Sequence, residues 1–188
     1  MKLTANVRTT SKKSETKQLR RDGKIPAVLY SAGQATQQII IDADQFNAVL
    51  RNMKPGRLPT TTFSLMIDGT EKKAIIKDIQ YQLTSYRVSH IDFEELFSEI
   101  PVSVKVPIQC TGVAECAGIK LGGFLRQVKR HVKVECLPKH IPSEFTIDVT
   151  DLGIKQAKKL SDISMPEGVV PHAKMDEVVV VISKRAGG

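Results

Sequence analysis

The chain has 188 residues, a length that fits one large domain or two small ones. Hydrophobic residues make up 41% of it, but there is no Trp and only three Tyr and six Phe, so two modest cores are expected rather than one large core. Lys and Arg outnumber Asp and Glu by 28 to 20, and the net charge of +8 favours a polyanionic partner such as nucleic acid or an anionic membrane surface, with a merely basic soluble protein as the alternative.

The sequence predicts a cytoplasmic protein with no membrane partner. No stretch approaches the roughly 18 apolar residues of a transmembrane helix. The first residues, MKLTANVRTT, lack the apolar segment of a signal peptide. The three cysteines, Cys110, Cys116 and Cys136, are odd in number, and in a reducing compartment they predict no disulfide framework.

The positive charge is concentrated at the start of the chain. Residues 1–30 carry eight basic and only two acidic side chains, so six of the eight units of net positive charge lie there. A partner held by charge is therefore expected to meet this segment first. The basic residues predicted to neutralise phosphates are Arg8, Lys12, Lys13, Lys17, Arg20 and Arg21.

The same segment begins with a short strand and continues into an unusually polar helix. Residues 2–8 alternate between polar and apolar side chains, which predicts a half-buried strand. Ser11 or Ser14 is expected to cap a basic helix that ends near Asp22 and Gly23. Only Leu19 is strongly apolar in that helix, so we expect it to pack loosely or to be ordered by a ligand.

The rest of the first half predicts strands with a second helix inserted. Asp42 or Asp44 caps a helix with Phe46, Val49 and Leu50 on one face. Asp68 and Gly69 form a strong hairpin-turn pattern. The predicted strands are 26–30, 38–41, 63–67, 74–83 and 87–93. This composition favours a small closed or nearly closed β-barrel.

Residues 94–101 are the predicted boundary, giving domains 1–95 and 96–188. The second domain is expected to be β-rich, with strands at 102–108, 129–136, 145–149 and 178–182 and one short helix capped by Thr150 or Asp151. The predicted fold class is therefore mainly β (α+β): an N-terminal barrel with inserted helices and a second β-rich domain.

No catalytic, metal or cofactor site is predicted. Cys110 and Cys116 are too widely spaced for a structural zinc pair, and buried strand cysteines are the better interpretation. The three glycines within 118–123 lack the Lys-Ser/Thr ending of a phosphate loop, so a turn between strands is favoured. No nucleophile has a base and an acid beside it. We therefore expect a protein that is not an enzyme and has no small-molecule substrate.

One polar set is typical of recognition. In an extended segment, His90 and Asp92 point to one side while Ile91 and Phe93 point to the other. An incidental surface pair is the alternative. An acidic side chain that faces RNA is costly unless it makes a specific contact, and Gln80 on the preceding strand is also suited to base edges or 2′-hydroxyls.

Several stretches in order resemble the bacterial ribosomal protein L-25 family in its long, two-domain form, the general stress protein Ctc type. In the first half they are Arg8, Lys13, 19–30 (LRRDGKIPAVLY), 77–80 (KDIQ) and 90–93 (HIDF). In the second half they are 106–107 (VP), Gly112, 118–123 (GIKLGG), 134–138 (VECLP), 141–142 (IP) and 148–149 (DV).

The resemblance implies a structural constituent of the large ribosomal subunit. It would bind the loop E region of 5S rRNA in the central protuberance, alongside other large-subunit components. The family's N-terminal domain is a small barrel that contacts the minor-groove side of that RNA. Carried over by position, the expected contact residues are Arg8, Lys13, Arg20, Arg21, Tyr30, Gln80, His90 and Asp92.

Two alternatives stay open at this stage. One is a stress-regulated module that docks on ribosomes through its second domain. The other is a small-ligand enzyme built on the glycines at 118–123, which the missing nucleophile, base and metal sets disfavour.

Overall fold

The computed structural model describes residues 1–9, 12–33 and 35–184. The chain divides into two compact units, Met1–Ile100 and Pro101–Gly188. The division falls inside the predicted boundary segment, five residues beyond the predicted end of the first domain. None of the helices in the described residues is long and apolar enough to cross a membrane.

Within the described residues, six strands of the first unit form a closed barrel in the order β1-β3-β2-β6-β5-β4. They are β1 (Lys2–Val7), β2 (Lys24–Tyr30), β3 (Gln37–Asp42), β4 (Thr62–Ile67), β5 (Thr70–Tyr81) and β6 (Val88–Glu95). β1 pairs with β4, and β2 with β6, in parallel, while the other neighbours are antiparallel. The predicted mainly-β fold with a small barrel is confirmed.

The barrel interior is filled by the apolar residues of each alternating strand. Phe63 and Phe93 meet edge to face with their ring centroids 6.1 Å apart. Ile91 is also fully buried, so the neighbouring residues of β6, His90 and Asp92, lie on the outer surface. The period-2 pattern of this strand therefore positions the polar pair as the sequence predicts.

In the described residues, two α-helices are inserted between the barrel strands, and a 3-10 helix spans Leu58–Thr60. In α2 (Ala43–Asn52), Asp42 is the N-cap, and its Oδ1 accepts hydrogen bonds from the backbone N–H groups of Asp44 and Gln45. The helix α1 (Lys13–Arg21) follows Lys12 and has no side-chain cap, so the predicted cap at Ser14 is wrong because Ser14 lies inside the first turn. The alternative cap, Ser11, lies outside the described residues.

The β4–β5 hairpin turns at Asp68 and Gly69, both with positive φ, as the sequence predicts. β5 begins at Thr70, earlier than the predicted residue 74, because polar residues after the turn still pair with β4. A register shift at Lys77 then places Asp78 and Gln80 on the outer face.

As far as residue 184, the second unit contains two smaller sheets, ordered β10-β7-β9-β12 and β11-β13-β8. Their strands are β7 (Val102–Thr111), β8 (Gly123–Gln127), β9 (His131–Cys136), β10 (Phe145–Asp148), β11 (Ala157–Lys159), β12 (Val169–Pro171) and β13 (Val178–Lys184). The sequence does not predict β8, β11 or β12, since their residues (GFLRQ, AKK and VVP) do not alternate between apolar and polar side chains.

The predicted helix after Thr150 is wrong. Lys155 has a left-handed backbone with φ of 67°, which interrupts any helix there. The carbonyls of Thr150 and Leu152 instead accept hydrogen bonds from Ala117 and Gly118, at the start of a short helix, α3 (Ala117–Lys120). The segment 117–120 is therefore helical where the sequence predicts only a turn.

Gly118 is required by this packing rather than by a ligand. A Cβ at Gly118 would lie 2.8 Å from the carbonyl oxygen of Leu152 and 2.9 Å from the side chain of Ile182. The close approach of two chain segments explains the glycine, and it removes the reason to regard residues 118–123 as a phosphate loop.

Candidate nucleic-acid interface

The helix α1 presents its basic side chains to solvent and buries none of its residues. Lys12, Lys13, Lys17 and Arg21 are exposed, and Arg20 is half-buried. Leu19 is only half-buried, so hydrophobic burial stabilises the position of this helix little. Polar bonds therefore contribute to its attachment to the barrel.

Two arginines attach α1 to the barrel. The guanidinium of Arg8 donates to Thr16 Oγ1 of α1 at 3.0 Å and to Gln38 Oε1 of β3 at 2.8 Å. Arg20 Nε donates to the backbone carbonyl oxygen of Ser89 in β6 at 2.9 Å. Each guanidinium fixes its neighbours with directed bonds and keeps a full positive charge, so Arg8 and Arg20 combine positioning with attraction of an anion.

The exposed cations of α1 line a groove on the barrel surface. Its walls are α1, the start of β2, the start of α2 and the loop between β5 and β6. Among its lining residues, Asp44 carries the single carboxylate. The six cationic side chains that line it are Lys13, Lys17, Arg20, Arg21, Lys24 and Arg87. A groove of this charge suits the phosphates of a nucleic acid.

Arg87 and Lys24 are groove residues that the sequence analysis does not select. Lys24 belongs to the basic N-terminal segment but follows the predicted helix. Arg87 is far from that segment in the chain. The one feature of the sequence that could have indicated its role is its position between Gln80 and His90, which lie on neighbouring strands. Only the fold brings Arg87 beside α1.

A polar cluster lies on the outer face of β2, β5 and β6. The Tyr30 hydroxyl donates to Asp92 Oδ2 at 3.1 Å. His90 Nδ1 lies 2.7 Å from Asp92 Oδ1, close enough for an ion pair but without hydrogen-bond alignment. Gln80 is exposed and pairs with His90 across the β5–β6 ladder. The structure thus brings these four predicted residues together.

The pKa of the Tyr30 hydroxyl is raised above its ordinary value. Partial burial is the largest cause, followed by the hydrogen bond to Asp92 and the negative charge of that carboxylate. Tyr30 therefore stays a neutral hydrogen-bond donor, and a neutral hydroxyl beside RNA adds no repulsion of phosphates.

The groove and the polar cluster adjoin each other. Ser89, which receives the Arg20 bond, directly precedes His90, and its own hydroxyl donates to the carbonyl oxygen of Gln80 at 3.1 Å. The last turn of α1 is therefore fixed beside the strands that carry the polar side chains. Nearby, Asp78 pairs with Asp92 across β5 and β6, so this outer face also contains two carboxylates.

The cysteines of the second unit show no arrangement for chemistry. Cys110 lies near the end of β7, whereas Cys136 pairs with Val102 at its beginning, and Cys116 precedes α3. All three are free, and burial raises the pKa of the Cys110 and Cys136 thiols, which disfavours reactive thiolates. No group of three metal-ligating side chains occurs in residues 1–9, 12–33 and 35–184.

Comparisons with known proteins cover both units. Residues 3–93 match the ribosomal L25p family, and residues 101–186 match the C-terminal domain of ribosomal protein TL5. Proteins named large ribosomal subunit protein bL25 from Chlamydia abortus and Chlamydia pneumoniae are each 46% identical over 185 residues, which is 98% of this chain and 100% of theirs. The protein of that name from Chlamydia trachomatis serovar D is 45% identical over the same share of both chains.

These matches place the chain among the ribosomal proteins. Proteins of this class are structural components of a ribonucleoprotein and are not enzymes. The chain belongs to the ribosomal L25p family, in the long form that carries the additional C-terminal domain. The resemblance stated from the sequence is confirmed. Family membership also confirms the prediction of a structural ribosomal protein that is not an enzyme.

Proposed function

We propose that this chain, as a constituent of the large ribosomal subunit, binds the loop E region of 5S rRNA in the central protuberance through its N-terminal barrel. The observation that carries the proposal is the bond from Arg20 to the Ser89 carbonyl. It fixes a helix of exposed cations beside a cluster of neutral and acidic hydrogen-bonding groups, so one RNA can meet both.

The first contribution is electrostatic. Lys12, Lys13, Lys17 and Arg21 are exposed on or beside α1 and are free to approach phosphates. Each phosphate neutralised releases counterions, so affinity falls as salt rises. Arg8 and Arg20 add charge and keep α1 in register with the strands. This contribution gives affinity but does not distinguish one RNA from another.

The second contribution is recognition of an irregular duplex. The minor groove of an RNA helix is wide and shallow and exposes 2′-hydroxyls and base edges. Gln80 offers both a donor and an acceptor, Tyr30 offers a hydroxyl and an aromatic face, and His90 offers its second ring nitrogen. Asp92 holds Tyr30 and His90 with its two oxygens, so in this proposal it acts mainly by orienting them.

We also propose that the two units contact different components of the ribosome. All ten proposed contact residues lie before residue 95, inside the first compact unit. The second unit would meet other components of the large subunit. A protein with this role acts in the cytoplasm, where bacterial ribosomes work.

Chemical footprinting tests the proposal directly. Purified full-length protein is added to transcribed 5S rRNA at moderate salt, and an arbitrary duplex of equal length serves as the competitor. We expect protection confined to the loop E region and a clear preference for 5S rRNA. Lys17→Ala and Lys139→Ala form a matched pair, because each removes one exposed lysine, the first from α1 and the second from the other unit.

The expected result is weaker protection with Lys17→Ala and unchanged protection with Lys139→Ala. Equal binding to 5S rRNA and to the arbitrary duplex would refute the proposed function.

A further inference from the structure

The end of β5 and the loop that joins it to β6 present large apolar side chains to solvent. Tyr86 is 80% exposed, Tyr81 is 51% exposed and Leu83 is 92% exposed. These residues do not pack on the barrel core, and the ten proposed contact residues do not include them. An exposed group of this kind beside a charged groove marks an interaction surface.

The loop is ordered by its own hydrogen bonds. The Gln82 backbone N–H donates to the carbonyl oxygen of Arg87 at 2.8 Å, and the Tyr86 N–H donates to that of Gln82 at 2.9 Å. The Ser85 hydroxyl bonds to the Gln82 side chain at 2.6 Å. The chain therefore closes a compact turn instead of trailing through solvent.

Tyr86 occupies a conformation that an aromatic residue rarely adopts. Its φ is 53°, in the left-handed region where Gly or Asn is the usual occupant of a turn. The backbone strain is not offset by burial of the ring, because the ring is mostly exposed. An aromatic side chain held outward at such a position is explained by a partner that uses the ring.

The charge around the hairpin indicates the kind of partner. Gln82, Arg87 and Val88 form one wall of the groove whose other walls carry Lys13, Lys17, Arg20, Arg21 and Lys24. Tyr81 and Tyr86 directly precede Gln82 and Arg87 in the chain, so the two tyrosines adjoin a surface that attracts polyanions. Exposed aromatic rings next to a run of cations are the arrangement by which proteins bind unpaired nucleotides, with the rings on the bases and the cations on the backbone.

We infer, resting on the RNA-binding function proposed above, that Tyr81 and Tyr86 form a platform on which unpaired bases of the bound RNA stack. The recognised class is then a duplex with extruded or unstacked nucleotides next to the groove. Leu83 has no aromatic face and takes no part in stacking. A protein surface seated on the hairpin is the competing occupant, and the charge of the groove disfavours it.

The test compares Tyr86→Asn, Tyr81→Asn, Tyr86→Phe and Leu83→Ala in the full-length protein. Asn tolerates the left-handed backbone, so Tyr86→Asn removes the ring without adding strain. Affinity for transcribed 5S rRNA is measured at several salt concentrations. We expect Tyr86→Asn to weaken binding by about fivefold or more with an unchanged salt slope, since stacking on one base contributes affinity without counterion release.

Tyr86→Phe keeps the ring, so its affinity for 5S rRNA is expected to equal that of the unchanged protein. Leu83→Ala is expected to bind with the same affinity, because Leu83 takes no part in stacking. On a fully paired RNA duplex, Tyr86→Asn should have no effect. Base-reactive chemical probing adds a direct readout, because a base covered by the ring becomes reactive again in the complex with Tyr86→Asn.

Three outcomes overturn the inference. Unchanged affinity and base reactivity in both Tyr86→Asn and Tyr81→Asn would remove the platform while leaving the proposed function intact. If Leu83→Ala weakened binding to whole ribosomal subunits while no variant weakened binding to free RNA, the hairpin would bind a protein partner instead. If the unchanged protein showed no preference for 5S rRNA, the proposed function would fail and the stacking inference with it.

Discussion

The hydroxyl of Tyr30 donates to Oδ2 of Asp92 at 3.1 Å, joining β2 to β6 on the outside of the barrel. The other oxygen of the same carboxylate lies 2.7 Å from Nδ1 of His90. One carboxylate thus accepts a hydrogen bond from an aromatic hydroxyl and lies against an imidazole. Because a hydrogen bond to an ionised group is strong and directional, Asp92 orients the Tyr30 hydroxyl before a ligand arrives.

Replacing Asp92 tests whether the cluster recognises a particular RNA. Asp92→Ala releases both Tyr30 and His90, so we expect the preference for 5S rRNA over a regular duplex to fall by about tenfold, the scale of one specific contact. Asp78→Ala is the matched control, since it removes a carboxylate from the paired position on β5. Filter binding with both RNAs measures the ratio.

The control should tighten binding to both RNAs slightly, because a negative charge near phosphates is lost. Tighter and equally selective binding by Asp92→Ala would show that this carboxylate is incidental to recognition.

Titration of the tyrosines tests the hydrogen bond itself. The folded-state pKa of Tyr30 is raised by burial and then by Asp92, so its neutral form is favoured in the folded protein. Its contribution to stability is complete below the unfolded pKa near 10 and is lost as pH rises through the higher folded pKa. Ultraviolet titration of tyrosinate should therefore show a step above the ordinary pKa of tyrosine, which belongs to Tyr30.

Tyr30→Phe should remove this late step, and Asp92→Asn should move it toward lower pH while leaving the other two tyrosines unchanged. A late step that persists in Tyr30→Phe would assign it to Tyr81 or Tyr86 instead.

Salt dependence separates charge from positioning in the basic helix. Lys17→Ala should weaken RNA binding and reduce the salt slope by about one unit if Lys17 neutralises one phosphate. Arg20→Lys keeps the positive charge but loses the planar Nε donor to Ser89, so it should weaken binding with little change in slope. Binding measured over a range of salt concentrations distinguishes the two, and identical slopes for both variants would contradict these roles.

Local patterns predicted much of the barrel from the sequence. Alternating side chains identified most of its strands. The Asp68-Gly69 turn was placed correctly, and Asp42 was one of the two predicted caps, because capping and turn preferences act within a few residues. The shared outer face of His90 and Asp92 followed from the same alternation. The short strands β8, β11 and β12 of the second unit were not predicted. They are defined by hydrogen bonds to neighbouring strands, and their sequences show no alternation of apolar and polar residues.

The polar attachments of α1 could not be predicted in the same way. Arg8 bonds to Gln38, thirty residues away, and Arg20 bonds to Ser89, sixty-nine residues away. Charge and the family resemblance predict that both arginines contact phosphate, whereas the fold also gives each a structural bond. Arg87 was missed for the same reason, since only barrel closure brings it to the groove.

Hydrogen exchange tests whether polar bonds, rather than packing, hold α1 in place. Thr16→Val removes the hydroxyl that accepts from Arg8 and keeps the shape of the side chain. Losing about 1 kcal/mol of attachment should speed exchange of the α1 amides by roughly fivefold and leave the barrel strands unchanged. Addition of 5S rRNA should slow α1 exchange in both proteins, because phosphate contacts order the helix further. If α1 exchanged as slowly as β6 in Thr16→Val, the Arg8 bond would not be what secures the helix; if RNA left α1 exchange unaltered, the helix would not be part of the interface.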